Sequence, residues 1–154
     1  GKYPLEAVQA MAAAIHEAET SIYDDVKAEM RPTRNSEEAM TNVASVLAMA
    51  SGAKAVVVAS LSGQAVRFVA REHPCVPIFA VTTQERIARQ VYLSWGVTPI
   101  LVPVSATVPA LIEGACQTLL HKQLVEKGGQ VVIVAGEPLG ESGMVNLVEV
   151  RKIE

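Results

Sequence analysis

The stretch from Ala53 to Val69, AKAVVVASLSGQAVRFV, limits the fold more than any other part of the chain. A continuous apolar, mostly β-branched run, Ala55 to Ala59, leads into a tight Ser/Gly turn and then into the first turns of a helix. A strand that is apolar on both sides needs cover on both sides, which is the condition of a parallel sheet packed between helices. Half of the residues are hydrophobic but only 4% are aromatic, so the core must be built from Val, Ala, Ile and Leu. The 154 residues are about one domain's worth.

Further strand and helix patterns surround this stretch. Pro4 to about Glu19 reads as a helix, with Leu5, Val8, Met11, Ala12, Ile15 and Ala18 at helical spacing. Its apolar face is narrow and small, and no segment just after it is an obvious partner. A helical continuation from Ile22 to Met30 is expected, ended by Pro32, which biases the residue before it away from helix. A helix opens at Ser36, read as its N-cap, with Glu37 and Glu38 suited to the positive end of its dipole. Met40, Val43, Ala44, Leu47 and Ala48 form its expected buried stripe, and Gly52 its C-cap. Ser62 to Arg71 is predicted helical, with Ala65, Val66, Val69 and Ala70 inward. Strands follow at Pro77 to Val81, Thr98 to Val102 and Gln130 to Ala135, with helices at Gln84 to Trp95 and Val108 to Val125 between them. Gly96 and the pair Gly128 and Gly129 lie just past the helix ends. This alternation implies right-handed β-α-β units. A fifth strand, Val145 to Arg151, follows the fourth after only nine residues. So short a link makes no parallel crossover, so this strand is expected antiparallel at an edge.

Open α/β sheets bind ligands beyond the carboxyl ends of their strands. Two turns have suitable chemistry there. Ser60, Leu61, Ser62, Gly63, Gln64 and Ala65 follow the first strand, and their hydroxyls and N–H groups at a helix N-terminus favour an anion. Gly136 to Gly143 follow the fourth strand. Ser and Gly at such a turn are also ordinary helix caps, and turn chemistry alone leaves both readings open. The turn is not a Walker loop, since it lacks the Lys and the spacing. Thr82, Thr83 and Gln84 read as a cap, and Trp95 as packing. His16, His73 and His121 are far apart on different elements and read as surface or satisfied side chains. Cys75 and Cys116 lack metal-ligand spacing and read as reduced structural thiols. No catalytic constellation can be assembled. A net charge of −3 argues against nucleic acid. No run approaches a bilayer span and the N-terminus has no signal pattern, so no membrane role is expected and a soluble, cytoplasmic protein is.

The chain resembles the C-terminal domain of pyruvate kinases. GKYPLEAVQAMA (Gly1–Ala12) is similar to the segment that closes the family's catalytic barrel. AEM…SEEAM (Ala28–Met40), GAKAVVVASLSGQAVRFVAREHP (Gly52–Pro74), PIFAVTTQERIARQVYLSWGVTPILV (Pro77–Val102) and VVIVAGEPLGESGMVNLVEV (Val131–Val150) follow in the family's order. Ala80 to Val102 is the most specific part. The resemblance implies a three-layer α/β/α domain with a five-stranded, mostly parallel sheet of order 3-2-1-4-5, the last strand antiparallel. It also divides the chain into residues 1–20, a helix carried over from the barrel, and residues 21–154, the effector domain.

By this resemblance, the domain carries an allosteric site for a sugar phosphate and part of a tetramer interface. The active site and its Mg²⁺ and K⁺ ions belong to the parent's barrel, so this chain holds no cofactor and is inactive alone, while the parent transfers phosphoryl from phosphoenolpyruvate to ADP. The family's phosphate loop falls on Ser60, Leu61, Ser62, Gly63 and Gln64, followed by Ala65. Its flexible effector loop falls on Gly136 to Gly143, with Gly140, Ser142 and Gly143 as further candidate contacts. The chain departs from the pattern where Gln64 replaces an Arg and Ala65 a hydroxyl residue, and where Glu137 and Glu141 enter the second loop. Charge-assisted Arg contacts are roughly twice as strong as neutral hydrogen bonds. A degenerate site that binds fructose 1,6-bisphosphate weakly or not at all is therefore expected. The alternative is a free-standing binding protein for a small phosphorylated metabolite. The start at Gly1, inside what the family treats as a barrel element, favours a piece of a longer chain. An independent isomerase or hydrolase has no supporting residues.

Overall fold

The computed structural model describes residues 1–20, 29–136 and 144–154. Its elements run α1 (Pro4–Glu19), α2 (Ser36–Ser51), β1 (Val56–Ala59), α3 (Gln64–Arg71), β2 (Ile78–Thr82), α4 (Glu85–Val91), β3 (Val97–Leu101), α5 (Val108–His121), β4 (Gln130–Ala135) and β5 (Leu147–Lys152). The five strands form one sheet of order β3-β2-β1-β4-β5. β1 lies parallel to both β2 and β4, β2 is parallel to β3, and β5 runs antiparallel to β4. The last strand thus takes the antiparallel edge position that its short link requires.

Alternation along the strands divides the core into two layers. Ala55, Val57, Phe79, Val81, Val131 and Ile133 join Leu111, Ile112, Ala115 and Leu119 of α5. Val56, Val58, Ile78, Ala80, Val132 and Val134 point the other way, onto Ala44 and Ala48 of α2, Val66 and Val69 of α3 and Val91 of α4. Complete burial of such a side chain contributes about 1.5–3 kcal/mol. The core therefore lies on both faces of β1, with its carboxyl end at the centre of the sheet's upper edge.

Helix boundaries and faces depart from expectation in instructive ways. The N-cap of α2 is Asn35, not Ser36: Asn35 is extended and its side chain accepts the Glu38 N–H at 2.8 Å. The buried face of α2 is largely polar, made of Glu37, Glu38, Thr41, Asn42 and Ser45 with Ala44 and Ala48, while Met40, Val43 and Leu47 are only half-buried. Gly52 closes the helix in the left-handed region, φ 65°, with the bonds of a Schellman motif. α4 stops at Val91, where the chain breaks into turns that run to Gly96. α5 stops at His121 rather than Val125, because Gln123 turns left-handed (φ 56°) and folds Val125 back into the core. The continuation expected over residues 22–30 falls largely on 21–28, outside the described residues.

α1 forms as expected but buries none of its residues: Leu5, Val8, Met11 and Ile15 are each more than half exposed. Its last residue meets the body of the domain, where the Trp95 indole N–H donates to Glu19 at 3.3 Å.

Candidate functional site

The turn after β1 is a closed hydrogen-bonded unit. The Ser60 N–H donates to the Val81 carbonyl at 3.1 Å, continuing the β1–β2 ladder. The Ser60 hydroxyl accepts the Gly63 N–H at 2.9 Å, and the Ser62 hydroxyl accepts the Gln64 N–H at 3.3 Å. Gly63 is buried and left-handed, φ 76°, and a Cβ there would stand 2.7 Å from Val91 Cγ1 of α4. Only glycine meets both conditions without strain. Leu61 is half-buried. Ala65, on α3, is buried, its methyl in the apolar layer shared with Ala44 and Ala48 of α2, so its side chain offers nothing to a ligand.

The sheet register brings the second turn alongside. Val58 pairs with Val134, so Ser60 and Gly136 leave neighbouring strands at the same edge. The two ends of the second turn are pressed together: a Cβ on Gly136 would fall 1.5 Å from the Met144 carbonyl oxygen. Gly140, Ser142 and Gly143 lie outside the described residues.

The sequence reading missed the cover over this turn. α2 crosses α3 so that its first turn reaches both ends of that helix. Glu37 accepts a hydrogen bond from the Gln64 side-chain amide at 3.0 Å. Glu38 accepts the Arg34 N–H at 2.8 Å and pairs with Arg71 at the far end of α3. One residue further, buried Glu72 pairs with Arg31 and accepts the Asn42 amide at 2.9 Å. The two α2 carboxyls respond oppositely. Burial pushes Glu37 above the usual range. The Arg34 N–H, aided by Arg71 and opposed by burial, holds Glu38 below it. The one local signal for this cover was the acidic pair at the start of α2, which reads equally well as dipole chemistry.

The remaining candidates have structural places. The Thr82 hydroxyl accepts the Gln84 N–H at 3.3 Å before α4. His73 is half-buried and stacks on Trp95 with ring centroids 4.5 Å apart, while His16 and His121 are exposed. Cys75 is exposed and Cys116 buried on α5, both free. Among the described residues no group of three His, Cys, Asp or Glu is placed to hold a metal ion. No described helix is long and apolar enough to cross a membrane.

A mostly parallel five-stranded α/β sheet of order β3-β2-β1-β4-β5, with a Ser/Gly turn beyond its central strand, defines the class of domain. Residues 38–151 match the family described as pyruvate kinase, alpha/beta domain, and the chain belongs to it. It is 34% identical over 157 aligned residues to a pyruvate kinase of Clostridium acetobutylicum, covering 100% of this chain and 33% of that one. It is 32% identical to pyruvate kinases of Lactococcus lactis and Geobacillus stearothermophilus, covering 100% and 99% of this chain and 31% and 27% of theirs. The chain thus spans about a third of the length of the curated relatives that it matches.

Proposed function

We propose that this chain is the regulatory and oligomerisation domain of a cytoplasmic pyruvate kinase whose catalytic barrel transfers phosphoryl from phosphoenolpyruvate to ADP. The observation that carries the reading is the end-to-end match of the whole chain to a third of each relative. The exposed apolar face of α1 supports it. Leu5, Val8, Met11 and Ile15 have the spacing of a packed stripe and stay exposed, without a partner among the described residues, as a helix shared with a barrel domain would. A free-standing metabolite-binding protein would bury that stripe in its own core.

In this reading Mg²⁺ and K⁺ act in the barrel, and the Ser60–Ala65 turn is a degenerate sugar-phosphate site. Its hydroxyls already serve its own N–H groups, and the position that would supply a cation is Gln64, held by a carboxylate. The decisive assay is pyruvate formation from phosphoenolpyruvate and ADP with Mg²⁺ and K⁺. This chain is expected to show none, and the full-length parent to show turnover. Turnover by the chain alone would overturn the assignment.

A further inference from the structure

Glu37 is 6% exposed and belongs to the first turn of α2, yet its carboxylate is spent on the first residue of α3. It therefore stands at the end of α3 where the helix dipole favours negative charge. Gln64, its partner, adjoins Ser62 and Gly63, whose neighbourhood a bound phosphate would need. The turn N–H groups of Gly63 and Gln64 are meanwhile satisfied by Ser60 and Ser62. Of the cations on neighbouring elements, Arg71 is committed to Glu38 and Arg31 to Glu72, while the Arg67 guanidinium lies beside Gly63, 3.8 Å from where a Cβ there would stand.

We propose that Glu37 is the residue that excludes phosphorylated ligands from the Ser60–Ala65 turn: its carboxylate, tied to Gln64, acts as a resident anion beside the N–H groups that such a ligand would use. This rests on reading the turn as the effector locus. It differs from loss of the loop arginine alone in a definite way. An arginine introduced at position 64 would be captured by Glu37 and would leave a phosphate opposed by the carboxylate. Both changes together are needed to open the turn.

The test titrates inorganic phosphate and fructose 1,6-bisphosphate into the ¹⁵N-labelled chain and its Glu37→Gln, Gln64→Arg and doubly substituted forms. Calorimetry supplies Kd, and the Gly63 and Gln64 amide resonances report the place of binding. Glu37→Ala provides the same arm if the glutamine variant fails to fold. The double variant is expected to bind about tenfold tighter or more than Gln64→Arg alone, the weight of a charge-assisted contact, with shifts at both amides. Equal affinity of these two variants, with the amides shifting, would overturn the role of Glu37 and leave the locus standing. Binding that leaves both amides unmoved, or no binding by any variant, would remove the locus and the inference together.

Discussion

Gly63→Ala isolates the packing that shapes the turn. Two costs act at that position. At φ 76° an alanine is strained, by about 1–2 kcal/mol for an L-residue in the left-handed region. Its Cβ would also lie 2.7 Å from Val91 Cγ1 and 3.4 Å from Ile87 Cγ2. Val91 is only 1% exposed, so it cannot swing out of the way, and overpacking of this kind costs about 1–3 kcal/mol. Gly52→Ala is the matched control, because Gly52 has φ 65° and nothing within 4 Å of the added Cβ. Urea unfolding followed by far-UV circular dichroism should therefore show Gly63→Ala as the costlier change by about 1–3 kcal/mol, with Gly52→Ala carrying the strain alone. For a chain of this size each kcal/mol lowers Tm by about 2–4 °C. Adding Val91→Ala should recover part of the Gly63→Ala loss, giving a favourable coupling of about 0.5 kcal/mol or more. If the two glycine variants unfold at the same urea concentration, or the cycle shows no coupling, the contact between the turn and α4 is not what demands glycine.

Four further outcomes follow from burial and charge. Glu38 is held below its ordinary 4.5, first by the Arg34 N–H and then by Arg71. Its stabilisation is therefore present above 4.5 and lost as pH falls through the lowered folded value, so Glu38→Gln should cost most near neutrality and little in acid. Glu37 is raised from 4.5 by burial, so its favourable term is complete below 4.5 and lost as pH rises through the folded value. Glu37→Gln should match or exceed the parent chain in stability at neutral pH, an advantage that fades in acid; a neutral-pH loss would contradict the sign. Leu119→Ala, in a side chain with 0% exposure, should cost about 2–5 kcal/mol, whereas Leu5→Ala on α1 should change urea unfolding of this chain by less than about 0.5 kcal/mol. In thiol labelling, exposed Cys75 should react first, while burial shields Cys116 and pushes its thiol up. A Cys75→Ser chain that still labels quickly would show that α5 opens more readily than its packing implies.

The strands were legible because each carries its own reason. β1, and β4 after its exposed first residue Gln130, are unbroken runs of Val, Ile and Ala, and such runs are stable only between two helical layers. β5 could be assigned its direction because nine residues cannot cross back over a sheet. The turn was legible for a similar reason, since Ser and Gly between a strand and a helix restrict the backbone locally. α2 was read less well. Its apolar residues Met40, Val43 and Leu47 outranked Thr41, Asn42 and Ser45 on hydropathy, yet the polar set is buried.

By itself, then, the sequence determined the layers, the strand directions and the place of the turn, because local periodicity and link length decide those. Only the tertiary structure decided what lies over the turn. Gln64 meets Glu37 across 27 positions of sequence, Arg71 meets Glu38 across 33, and Asn42 meets Glu72 across 30. Such pairs depend on how α2 crosses α3, and that crossing is set by the shared burial of Ala44, Ala48, Val66 and Val69 against the sheet. A polar residue's partner is chosen by the packing of its apolar neighbours, and no local pattern contains that choice.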